Sequence, residues 1–490
     1  MAANYEKNLF KHNQELIAEN EQLRQKILTI ETETANKYLG VIGKLNEIID
    51  TFAQKYALLE ERFEKQEAES DRLRKQLNND SGNSSNPPST DIKPNAPNTY
   101  NGRTKTGKKS GGQKGHKGNH LSREAIEMKI YKGQMQHEII HHGKRTDAYV
   151  SKYVVDLKVS AIATEHRFYE NATIPKEFRA DVQYGNEIKA TVATLAGQGL
   201  VASNRIIDML KSMSNGAFEL SDGTIYNFLS EFNTKAQPTV GKITTKLLND
   251  TVICIDETGS RIGNRNMFFR NYSDAFRVLY TANPTKGKKA IEDDGILPKF
   301  AGKLVHDHNT VNYNYGKGNG ECNVHIIRYL SAIFDHTYHN WSSDMIKFLL
   351  SLKQSKESAI GFGATGFEQA DLEAYRKRYD EIVEEGFAVL KTTKSRYYQK
   401  EERRLLNRLK KYRDNHLLFA YDFFVPFDNN LSERDLRMIK TKGKVSGCFR
   451  SLDGAKTFAN LMSIIKTAIK QNIPPHVAVR SVFSGCCCVG

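Results

Sequence analysis

Val252-Ile253-Cys254-Ile255-Asp256-Glu257 is an unbroken apolar run that ends in two carboxylates. Such a run, too short for a helix, reads as a buried strand with acid at its C-terminal end. A second run of the same kind follows, Lys303-Leu304-Val305-His306-Asp307. A third acidic stretch, Asn429-Asn430-Leu431-Ser432-Glu433-Arg434-Asp435-Leu436-Arg437, reads as a helix start with Glu433 in its first turn. Strand, strand and helix can converge three carboxylates, Asp256, Asp307 and Glu433, on divalent cations.

Working outward, residues 251–256, 267–271 and 276–281 read as a three-strand meander, with turns at Gly263-Asn264 and Ser273-Asp274. The fourth strand is expected at 304–306 and a helix at 323–334. Three antiparallel strands, then a strand and a helix, is the order of a ribonuclease H-like fold, in which strands 1 and 4 are neighbours. That would place Asp256 beside Asp307. Residues 391–413 hold ten Lys or Arg and only two acids. Residues 339–426 therefore read as a helical insertion with one face on a polyanion, or as a solvated helical face. The fold class is mixed α+β or α/β and multidomain: a core in two parts, 251–338 and 427–484, around the insertion, and a disordered tail at 485–490.

The chain has 490 residues, a net charge of +15 and 39% hydrophobic content. It can bury more than one core, and its clustered positive charge favours a nucleic acid partner. No apolar run approaches the roughly 18 residues of a membrane span. No signal sequence is evident, so a cytoplasmic, nucleoid-associated protein is expected. All six cysteines lie at or after Cys254. None has the spacing of a secreted disulfide framework.

Residues 1–78 carry a coiled-coil pattern. Leu9, Leu16, Leu23 and Ile30 recur at heptad spacing, Asn13, Asn20 and Ile27 fill alternate positions, and the pattern resumes at Ile42 after a slip near 32–37. A parallel homodimer is expected. Residues 79–126 form a Pro-, Gly- and Ser-rich basic linker. Its Arg103, Lys105, Lys108, Lys109, Lys114 and Lys117 are candidate contacts to DNA phosphates. Residues 127–183 alternate in a β-like way and read as a small β-rich module. Residues 184–250 are helical, with Ser221 as a cap; they read as a helix-turn-helix or as plain helical packing.

Together these features resemble the transposases of the insertion sequence 66 family. The resemblance runs over nearly the whole chain. It is carried by the leucine-rich coil, by the linker at 84–89 and 111–118, and by Asp256-Glu257-Thr258. It continues through Cys322-x-x-His325-x-x-Arg328, the Asn429 to Arg437 stretch, and Gly443-Lys444-Val445-Ser446-Gly447-Cys448-Phe449-Arg450-Ser451. One departure stands out. Family members carry a cysteine-based zinc module after the linker, and this chain has no cysteine there. His116, His120, His137, His141 and His142 could bind a metal, but scattered linker histidines are more often unliganded, and no structural zinc is expected.

The resemblance implies Asp256, Asp307 and Glu433 as catalytic metal ligands for two Mg²⁺ or Mn²⁺ ions. It implies cleavage at the ends of a DNA element and transfer of the freed 3′-hydroxyl into target DNA. Double-stranded DNA is then the partner, with small accessory proteins of the element. Cys322, His325, Arg328, Arg434 and Arg437 are expected beside the site. Lys440, Lys442, Lys444 and Arg450 are expected on DNA phosphates. From the residues alone Glu433 has a plainer explanation, since Asn430-x-x-Glu433 fits a capping box and Glu433 with Arg437 fits an i,i+4 ion pair. The alternatives are a nuclease or resolvase that cuts without joining, and a non-catalytic dimeric DNA-binding protein.

Overall fold

The computed structural model describes residues 2–78, 121–170, 172–176, 178, 180–393, 395–486 and 488–490. The chain divides into two compact units, 1–94 and 95–490. The described residues of the first form one helix, α1 (Ala2–Asn78), which runs through the 32–37 slip without a break. Its heptad residues Leu9, Leu16, Leu23 and Ile30 are all exposed, as are Ile42, Leu45 and Ile49. A helix of this length with its apolar stripe in water has no tertiary packing of its own to hold it.

The second unit begins with α2 (Arg123–Tyr131). The β-rich module expected at 127–183 is not found: among the described residues this segment holds no strand. Val154, Leu157 and Ile162 are exposed, so the alternation marks an apolar edge with no neighbouring strand to complete a ladder. Helices α3 (Asn186–Gly197), α4 (Ser203–Met213) and α5 (Asp222–Leu248) follow. The expected cap is present, with Ser221 Oγ accepting from Thr224 N–H. The third helix is much longer than its short apolar pattern implied, and Phe232, Ala236, Ile243 and Leu247 carry it under the sheet.

Among the described residues the sheet has five strands: β1 (Val252–Ile262), β2 (Arg265–Ser273), β3 (Val278–Asn283), β4 (Lys303–His306) and β5 (Gly318–Glu321). Helix α6 (Lys288–Asp294) lies between β3 and β4. The spatial order is β3-β2-β1-β4-β5. The meander is antiparallel, and β1 pairs parallel with β4, Ile255 opposite His306. The fifth strand is an addition to the expected four. Gly318-Asn319-Gly320-Glu321 has the composition of a turn, yet it pairs parallel with β4. A Cβ at Gly320 would lie 3.2 Å from Val425 Cγ1, so the glycine permits a close approach.

After β5 come α7 (Asn323–Thr337), α8 (Asn340–Gly361), α9 (Gln369–Val389), α10 (Arg396–Lys411), α11 (Arg413–His416) and α12 (Leu418–Tyr421). Then α13 (Asn430–Ser446), α14 (Leu452–Lys470) and α15 (Pro475–Phe483) close the unit. Strand side chains alternate between two apolar clusters. Ile253, Ile255 and Leu304 join α5, α13, α14 and α15 on one side. Cys254 and Val305 join α7 through α10 on the other. Extrapolated, that alternation turns Asp256 and Asp307 toward the α7 side. The tail at 485–490 also departs from expectation, since Val489 is buried in the first cluster. Among the described residues no helix is long and apolar enough to cross a membrane.

Candidate active site

Asp307 follows the last residue of β4, and Cys322 N–H donates to His306 O beside it. Cys322 is the N-cap of α7 and places His325 in its first turn. His325 Nδ1 lies 3.1 Å from Asp307 Oδ1, and its Nε2 lies 3.8 Å from Glu433 Oε1. Asp307, Cys322, His325 and Glu433 bring one ligand atom each within 4.8 Å of one another. Asp307 Oδ1, His325 Nδ1 and Glu433 Oε1 are buried and make no hydrogen bond. Close approach without hydrogen-bond geometry leaves these atoms short of a partner.

Asp256 is not one of those four, but the Asp307 and Glu433 charges act on it. Burial first, then the Asp307 carboxylate, pushes its carboxyl up to about 7; Glu257 N–H and Lys440 oppose the rise and Glu433 adds to it. Burial would lower the His325 imidazolium, but the Asp307 and Glu433 carboxylates outweigh it and the net shift is upward. Arg328 Nη1 lies 3.3 Å from His325 Nε2, a contact that needs that nitrogen unprotonated. It therefore competes with the carboxylates for the ring's state.

Two asparagines fix this geometry, and sequence reading assigned neither that task. Asn271, fully buried on β2 opposite Asp256, accepts from Asp256 N–H at 3.1 Å and from Ser432 Oγ at 2.8 Å. Its Nδ2 donates to Ser432 O. One amide thus ties the strand at Asp256 to the helix residue before Glu433. Asn429 donates from Nδ2 to Ile255 O at 2.8 Å and from its backbone N–H to Cys322 Sγ at 3.2 Å. A buried polar residue within the β2 apolar pattern was the available signal for Asn271.

Asn430 is not the helix cap. Asn429 is, and its side chain makes no capping bond. The capping-box position then falls on Ser432, and Glu433 N–H makes the first helical bond, to Asn429 O. Among the described residues Glu433 forms no ion pair with Arg437; its charged neighbour is His325. Arg434 and Arg437 are exposed. Lys440 shares the Glu433 face of α13, at i+7, and its charge reaches Asp256. Lys444 and Arg450 are exposed, whereas Lys442 turns away, its Nζ 5.8 Å from the Phe458 ring centroid and its pKa lowered by burial. Glu257 faces away from Asp256 and bonds Asn309, Arg270 and Lys286. Arg103, Lys105, Lys108, Lys109, Lys114 and Lys117 lie outside the described residues.

The donor set suits a hard divalent cation. It offers carboxylate oxygens and one imidazole, with acceptors lacking partners. Burial holds the Cys322 thiol well above its ordinary pKa.

Residues 5–122 match a family of unknown function. No curated protein matches the chain. Residues 181–457 match the transposase IS66 family, a span that contains Asp256, Asp307, Glu433 and the elements that position them. That match covers more than half of the sequence, and the chain belongs to the transposase IS66 family.

Proposed function

We propose that this transposase cleaves phosphodiester bonds at the ends of a DNA element and joins the freed 3′-hydroxyl to target DNA. The observation that carries the reading is the convergence of Asp307 Oδ1, Glu433 Oε1 and His325 Nδ1, all buried without hydrogen bonds, with the Asp256 carboxyl pushed up to about 7 by burial and Asp307. The sheet order β3-β2-β1-β4-β5, with α7 after β5, supports a ribonuclease H-like core. Asp256, Asp307 and Glu433 would hold Mg²⁺ or Mn²⁺, with His325 alongside. Bound there, the ions would polarise the scissile phosphate and favour ionisation of the attacking hydroxyl.

The chain's own groups do the rest. Asn271 and Asn429 hold Asp256, Cys322 and the start of α13 in register. Lys440, Lys444, Arg437 and Arg450 offer positive charge to backbone phosphates from α13 and just beyond it. Water attacks first and frees the 3′-hydroxyl; that hydroxyl then attacks target DNA. No protein nucleophile is required. No structural zinc is part of this reading.

In solution α1 pairs with α1 of a second copy in a parallel coiled coil, which covers its exposed Leu and Ile stripe. A monomeric mass for purified residues 1–80 would count against this. The chemistry is tested with purified protein, Mg²⁺ or Mn²⁺, labelled element ends and a target plasmid. Joined products are expected. Joined products that persist in Asp256→Asn would sink the assignment, and cleavage without joining would support the nuclease reading.

A further inference from the structure

Helix α7 carries two side chains within one turn of His325 that the proposed chemistry leaves unused. His325, Arg328 and Tyr329 stand at i, i+3 and i+4, on one face of the helix. Arg328 Nε is buried without a hydrogen-bond partner. Among the described residues no carboxylate lies within ion-pair distance of its guanidinium; its near contact is His325 Nε2. A guanidinium held this way has a fork of donors and no anion to receive them.

Tyr329 is 50% exposed. Its ring is backed by Arg408, whose guanidinium carbon lies 5.6 Å from the ring centroid. Arg408 is itself fixed, because its Nε and Nη2 both donate to Glu321, a buried carboxylate. The order Glu321, Arg408, Tyr329 therefore sets the plane of a half-exposed aromatic ring one helical turn from His325. A ring held in advance loses little freedom when a ligand stacks on it.

We propose that Arg328 and Tyr329 form a subsite for one unpaired nucleotide next to the scissile bond. Arg328 takes the adjoining phosphate, and Tyr329 stacks on the base. The base must be unpaired and unstacked, because in a continuous duplex both of its faces are covered by neighbouring bases. The substrate class is thus a DNA end opened at the cut. This rests on the reading of the carboxylate centre given above.

Full-length protein is titrated with two DNA probes: a paired element-end duplex, and the same duplex with mismatched bases at the cut. The unpaired probe should bind about tenfold more tightly to wild type, within the range known for base stacking on one aromatic ring. Tyr329→Ala should lose that preference while binding the paired probe as before. Tyr329→Phe should keep it, and Arg328→Gln should bind the unpaired probe more weakly than wild type does; unchanged binding in Arg328→Gln also overturns the proposal. The proposal is overturned by no preference in wild type, by a preference that survives Tyr329→Ala, or by its loss in Tyr329→Phe. Cleavage is scored separately. Wild type that prefers the unpaired probe yet cuts neither DNA with Mg²⁺ or Mn²⁺ counts against the carboxylate centre and not against the subsite.

Discussion

Glu321 ends β5, and Asp307 lies just past the end of its neighbour β4. Each stands among histidines and an arginine, yet the two surroundings are opposite in kind. Glu321 is saturated. It accepts from Arg408 and Tyr313, lies 2.9 Å from His308 Nδ1, and has His416 Nε2 at 3.3 Å. Burial would raise its pKa, but His308, His416 and Arg408 outweigh burial and hold it well below the ordinary range. Around Asp307 the carboxylates face one another, oxygens lack partners, and Asp256 is pushed up to about 7. Glu321 is one buried carboxylate among donors, whereas Asp307 is partly buried beside a second carboxylate. Around Glu321 donors and cations surround one carboxylate, with only His416 Nε2 short of a hydrogen bond; around Asp307 carboxylate oxygens are short of donors. Satisfied acid reads as architecture; unsatisfied acid reads as a site.

The largest expected effect separates the two at once. Glu433→Gln keeps the shape of the side chain and removes its charge. Joining of labelled ends should fall by about 10³-fold or more, in line with loss of a group that stabilises transition-state charge. The melting temperature of the metal-free protein should hold or rise, because a carboxylate leaves a crowded acid group. Glu321→Ala should do the reverse. Arg408 and its neighbours would be left buried without their anion, and stability should fall by about 3 kcal/mol or more in denaturant titration. A stable, merely inactive Glu321→Ala would break the comparison.

A smaller effect comes from pH, and its sign differs between the clusters. The Asp256 pKa is raised from 3.8 to about 7 on folding. The folded state therefore holds that proton more tightly, so the contribution is complete below about pH 4 and is lost as pH rises through about 7. The Glu321 pKa is lowered, so its contribution is present above its ordinary value of 4.5 and is lost only in acid. Between pH 5 and 8, a window set by these shifts, Glu321 should give a flat background and Asp256 a falling slope. Asp256→Asn should flatten the melting-temperature profile of the metal-free protein in that window. Mg²⁺ or Mn²⁺ should stabilise wild type increasingly as pH rises, since an ion competes with the proton.

Much of this was legible in the residues. Both apolar runs form strands and pair as the strand order implied, but the first does not end at Asp256: it continues to Ile262 because β2 pairs with it throughout. β5 was not legible, because Gly318 and Gly320 have turn composition and only the approach of Val425 gives them a reason to sit in a strand. The 127–183 alternation misled in the opposite way. Its side chains favour a strand, but a ladder needs a partner that local composition cannot reveal. The saturation of Glu321 was equally hidden, since its partners Arg408 and His416 come from the insertion, far along the chain.

Glu433 was ambiguous for a subtler reason, and the smallest predicted effect addresses it. Asn-x-x-Glu is a cap pattern, and one residue of register decides its meaning. If Asn429 were serving as a side-chain cap, Asn429→Asp would keep or improve stability, because Asp is as good a cap as Asn and its charge suits a helix N-terminus. In the structure the Asn429 Nδ2 donates to Ile255 O, in the strand that presents Asp256. Aspartate there sets one acceptor against another in a buried site. Stability should fall by about 1–2 kcal/mol, the cost of an unmade buried hydrogen bond. Joining should fall by about tenfold as Asp256 and the start of α13 lose their shared register. A variant as stable as wild type would favour a side-chain cap at Asn429 over the tie to Ile255. A variant that loses activity along with stability places the asparagine between strand and helix, where it helps keep the carboxylates close and unsatisfied.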